Sequence, residues 1–94
     1  EIYKRRKFNK AKKILKDLNP QYFREEKILG VSYREKDEIS RPRGKIVDTW
    51  TAVIDGAFDS SEFLIISDET GEPLYIHGKH SIYEIKKDEN GNYY

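Results

Sequence analysis

The chain has no cysteine, few helix-breaking residues and no long apolar run. Without cysteine there is no disulfide, no thiolate zinc site and no cysteine nucleophile, a composition that fits a reducing, cytoplasmic compartment. A membrane-spanning helix needs about 20 consecutive apolar residues, and nothing here approaches that. The first residues are too basic and too poor in apolar content to read as a signal sequence. Three prolines and six glycines do not interrupt the 94 residues strongly enough to make two cores, so one modest domain over 1–94 is expected. No Gly-x-Ser-x-Gly elbow and no glycine-rich phosphate loop occurs.

What is present is charge and aromaticity. Hydrophobic residues make up 36% and charged residues 37%, so the core must lean on the twelve aromatics. Net charge is only +1, yet residues 1–45 carry fifteen Lys and Arg against seven Asp and Glu, while residues 46–94 carry three against ten. A basic front and an acidic back have two physical readings: a surface for a polyanion, or attraction between the two halves of one molecule.

Residues 4–18 place Phe8, Ala11, Leu15 and Leu18 at spacings of three and four, with Ile14 beside them and lysines elsewhere, which predicts an amphipathic helix. Asn19-Pro20 ends it, because proline has no amide hydrogen and forces its predecessor out of helical geometry. Gln21 to Glu26 reads as one further turn that seats Tyr22 and Phe23 against the body. From Lys27 the period falls to 2. Leu29, Val31 and Tyr33 share one strand face, with Ile28 opposite. Lys36 to Gly44 reads as a loop. The next strand places Ile46, Trp50, Ala52 and Ile54 on one side and Val47, Thr49, Thr51 and Val53 on the other, bending at Gly56. Short strands follow at 63–67, 73–77 and 82–86, and the Asn90-Gly91 turn signal predicts a further pairing by Tyr93 and Tyr94. The expected class is α+β, mainly β: a basic helix over 4–18, then a four- to five-stranded antiparallel barrel of SH3-like or Sm-like type over 27–87.

This element order resembles the Sm-like family of RNA-binding barrels, and two segments carry the resemblance. Ile54 to Phe63 is similar to that family's first motif, with Asp59 where the family has a base-contacting asparagine. Ile76 to Ile85 is similar to the second, with His77 and Gly78 at its Arg-Gly positions. Both segments hold one extra residue, and aspartate lacks asparagine's amide donor. The resemblance implies an RNA-binding barrel, generally assembled as a ring.

The residues themselves offer two cationic groups. Lys4, Arg5, Arg6 and Lys7, continued by Lys10, Lys12, Lys13 and Lys16, suit a phosphate backbone; a solvated helix face is the plain alternative, and an anionic membrane surface is disfavoured because the apolar stripe has a barrel to pack on. His77, Lys79 and His80 sit in a link between strands, where imidazole rings and an ammonium suit a base and its phosphate, or are simply polar turn residues. The two histidines lack a third ligand, so no metal and no cofactor is expected. Glu84-Ile85-Lys86 with Asp68 or Asp59 faintly resembles metal-dependent nucleases, a common triplet of little weight. Trp50, Tyr75 and Tyr83 would form a stacking platform if they shared an exposed face. The sequence therefore points to a non-catalytic nucleic-acid-binding module, RNA before DNA. The competing class is a protein-interaction or regulatory module, such as a phage or mobile-element accessory protein.

Overall fold

A computed structural model of the chain describes residues 2–56 and 60–94. Its elements are α1 (Ile2–Leu18), a single 3-10 turn (Glu25–Lys27), β1 (Ile28–Glu38), β2 (Ile46–Asp55), β3 (Ser61–Ser67), β4 (Pro73–His77) and β5 (Ile82–Glu84). The strands form one antiparallel sheet in the order β1-β2-β3-β4-β5. A helix followed by a mainly β antiparallel unit is thus the architecture. The sheet is open, however, and the barrel closure expected from the sequence is absent: β1 and β5 are its two edges and do not pair with each other.

The helix starts two residues before the predicted run. Asn19 ends it by donating its N–H back to the Leu15 carbonyl at 3.0 Å, and Pro20 cannot continue the ladder. Its apolar stripe is seated by Ala11 and Ile14, both fully buried, with Phe8, Leu15 and Leu18 flanking them. Ile14, expected beside the stripe, is therefore its centre. The turn after Pro20 is shorter than expected. Phe23 packs on the core, but Tyr22 is 66% exposed and does not seat against the body.

Two irregularities re-aim β1. Register shifts between Ile28 and Gly30, so Ile28 and Val31 both turn inward, and Leu29, expected to share a face with Val31 and to oppose Ile28, points to solvent. A second shift between Arg34 and Asp37 carries Lys36 into the left-handed region at φ 52°, where its N–H donates to Asp48 Oδ1 at 2.9 Å. β1 runs on to Glu38, beyond the predicted loop start at Lys36.

β2 is the centre of the fold, buried from Thr49 through Ala52. Trp50, Ala52 and Ile54 face α1 together with Leu64 and Ile66 of β3. Ile46, assigned to the same face by alternation, is exposed at the strand's start. A second, smaller cluster is built by Ile39, Ile65 and Tyr75. Ile39 belongs to the β1–β2 loop, which curls over the sheet so that Ser40 donates its N–H to the Tyr75 hydroxyl at 3.0 Å. Thus the helix covers one face, and the curled hairpin tip covers part of the other.

Gly56 acts just past the end of β2, not as a bend within it. Its N–H donates to the Ser60 carbonyl, and a Cβ there would lie 2.8 Å from that oxygen, too close for any side chain without movement. The Asp68–Gly71 turn forms as predicted, with Gly71 at φ 73°. Tyr94 and Lys86 exchange backbone hydrogen bonds, and Lys87 bridges Tyr93, which is the terminal pairing that Asn90-Gly91 predicted. Among the described residues no helix is long and apolar enough to cross a membrane.

Candidate nucleic-acid interface

The cations of α1 fall into two sets, separated by what the rest of the chain brings near them. Lys10 donates to Glu72 at 3.3 Å, Lys12 to Glu25 at 3.2 Å and Lys13 to Asp17 at 2.6 Å. Lys4, Arg5 and Arg6 are exposed and meet no carboxylate among the described residues, and Lys7 and Lys16 likewise form no ion pair there. The eight cations are therefore not one continuous free face. Lys12 and Lys13, both assigned to an external polyanion by the sequence, are held by the molecule's own acids.

Glu72 organises the paired set. It accepts from Tyr93 Oη at 2.8 Å, from Lys87 at 2.9 Å and from Lys10, so the β3–β4 turn gathers α1 and the C-terminal segment onto one carboxylate. Burial alone would push this acid up. The hydrogen bonds from Lys87, Tyr93 and Lys10 outweigh burial and hold it at about 2. Burial likewise works against charge on Lys10, but its contacts with Tyr93 and Glu72 win and raise it above the ordinary lysine value. Asp17 is lowered first by the Lys13 hydrogen bond, with burial opposing and the Tyr93 N–H adding to the effect. The ammonium groups of Lys10, Lys13 and Lys87 lie 5.2 to 5.6 Å from the centre of the Tyr93 ring. Tyr93 was foreseen only as a strand residue. Its role was invisible because its partners lie far off in sequence, Asp17 76 positions away and Lys10 further still.

The second cationic group occupies the other end of β4. His77 closes that strand, and the turn that carries Lys79 and His80 is cinched by the Gly78 N–H on the Ser81 carbonyl at 2.9 Å. All three side chains are exposed. Lys7 and Lys10 approach Gly71 and Glu72 before β4 begins, whereas Leu15 and Leu18 line one groove with Glu62, Ile76 and Tyr83 near its end. The free cations at the start of α1 and the histidine turn are thus not brought together.

The proposed aromatic platform does not form. Trp50 is buried on the helix-facing side, with its indole N–H on Asp68 at 2.7 Å, while Tyr75 is buried in the second cluster; only Tyr83 is exposed. Asp68, the acid considered with Glu84 and Lys86 for a metal, is taken by that indole, and Asp59 lies outside the described residues. Among the described residues no three His, Asp or Glu side chains converge on a common point. No protein-family model, curated protein or solved structure matches the chain.

Proposed function

We propose that the protein is a non-catalytic nucleic-acid-binding module that meets a phosphate backbone with the first two turns of α1. The observation that carries this reading is the position of Lys4, Arg5, Arg6 and Lys7. They cluster at the end of the helix where the backbone dipole is positive, no acidic residue stands in the first turn, and none is paired with a carboxylate among the described residues. Cations there work against the helix, so helix stability does not account for them. A polyanion does. The His77–His80 turn supplies a second exposed set of contacts, and reaching both ends of β4 suits a flexible single strand, which favours RNA over duplex DNA. The absence of cysteine suits a cytoplasmic setting.

The competing reading, a protein-interaction module, draws on the pairing of Lys10, Lys12 and Lys13 with the molecule's own acids. Fluorescence anisotropy with short single-stranded RNA, single-stranded DNA and duplex DNA at two salt concentrations separates the two. Four phosphate contacts predict a slope of about −3 for log affinity against log salt on a single strand. Failure to bind at low salt, or binding indifferent to salt, overturns the proposal.

A further inference from the structure

Opposite the helix, the curl of the β1–β2 hairpin borders a half-open cavity of about 310 Å³ on the partly covered face of the sheet. Its floor is Thr51, Ile65 and Tyr75, which stand side by side on β2, β3 and β4. Phe63 and His77, direct neighbours across β3 and β4, form the aromatic wall, and Glu38 closes the hairpin side. Thr51 is buried to all but 7% of its surface, and its hydroxyl oxygen is, among the described residues, the one buried side-chain oxygen or nitrogen without a hydrogen-bond partner.

The unspent groups around this cavity are acceptors. Glu38 lines it and forms no ion pair among the described residues. Arg34 and Asp37 lie on the rim 3.8 Å apart and offset each other, and Asp37 also accepts from Thr49 Oγ1. The surplus is negative charge beside aromatic rings, with an unsatisfied hydroxyl beneath. A guanidinium is the complementary group: it donates through every nitrogen, forks onto a carboxylate and stacks on aromatic faces.

We propose that this cavity receives an arginine side chain from a protein partner. The proposal is independent of phosphate binding by α1, since it uses the opposite face of the sheet and the opposite sign of charge; His77 is the one residue it shares with the proposed nucleic-acid contacts. Arg34 is a rim competitor for the same acids, and this gives the test two variants of opposite sign at exposed positions.

The probe is a capped pentapeptide of glycines with one central arginine, titrated into the 15N-labelled chain and followed by amide chemical shifts. Saturable shifts confined to Thr51, Phe63, Ile65, Tyr75 and His77 are expected, with no such shifts from the peptide carrying citrulline. Glu38→Gln should weaken binding about threefold or more and Arg34→Ala should strengthen it by a similar factor, as befits a part-exposed ion pair. Equal response to arginine and citrulline overturns the assignment, as does response to a free nucleotide instead, or insensitivity to both variants. Variant spectra that retain the shift dispersion of the parent chain establish that each variant is folded. Failure of the parent chain to bind RNA at low salt, with these shifts intact, would sink only the earlier reading.

Discussion

Tyr93 donates its phenolic proton to Glu72 at 2.8 Å, joining the last turn of the chain to the β3–β4 turn 21 residues earlier. Because Lys10 of α1 reaches the same carboxylate, one acid holds three separate segments. Tyr93→Phe removes one bond to a charged acceptor and is expected to cost about 1 kcal/mol. Glu72→Gln removes the charge that all three donors share and should cost more, about 1–2 kcal/mol after discounting for its partial exposure. Urea denaturation of both variants and of the double variant measures this; strict additivity would show that the hydroxyl and the carboxylate do not act together.

Acid should weaken this clasp in a defined window. Glu72 falls from an ordinary 4.5 to about 2 in the folded chain, so its contribution is fully present above about 4.5 and is lost as pH falls toward 2. Asp17 is shifted in the same direction. Stability measured by urea between pH 5 and pH 2 should therefore decline, and Glu72→Gln should decline less steeply. An identical pH dependence in that variant would count against the clasp.

At the start of α1, binding and stability are expected to move in opposite directions. Lys4→Glu with Arg5→Glu places acids near the positive end of the helix dipole, which should leave stability unchanged or raise it by a few tenths of a kcal/mol. The same pair should lower RNA affinity about tenfold or more at low salt. Lys12→Glu with Lys13→Glu breaks the pairs to Glu25 and Asp17 and should instead lower the melting temperature. Thermal melts beside anisotropy titrations read both effects.

Docking of the helix rests on Ile14, which has no exposed surface. Ile14→Ala should cost about 2–4 kcal/mol, because it removes buried methyl groups and leaves a void against the sheet. Hydrogen exchange should show loss of protection in α1 before the central strands. Uniform loss would mean that helix and sheet unfold as one unit.

Thr51→Val tests the orphaned hydroxyl directly. Removing an unsatisfied buried oxygen at nearly constant volume should stabilise the chain by about 1 kcal/mol, readable by urea denaturation. A loss of stability would show that the oxygen is satisfied in solution.

Most of the element boundaries could be read directly because their causes are local. Asn19-Pro20 stops a helix wherever it stands, and alternation through Trp50, Ala52 and Ile54 describes a strand face whatever packs on it. Leu29 shows where this reasoning fails: one shift of register beside Gly30 reverses its face, and that shift depends on how β1 meets β2. The candidate site was less legible. Lys12 and Lys4 look alike in the sequence, yet one meets Glu25 and the other meets no acid among the described residues.

Periodicity, turn chemistry and charge segregation were thus decided by the sequence itself, since each arises from contacts within a few residues. Three things were decided by tertiary structure alone: that the sheet stays open, that Lys10 and Lys12 are occupied, and that Thr51 is stranded at the base of a cavity. Edge pairing, ion pairs across 13 to 62 positions and the burial of a hydroxyl all depend on which distant surfaces meet. Local spacing carries no record of those meetings.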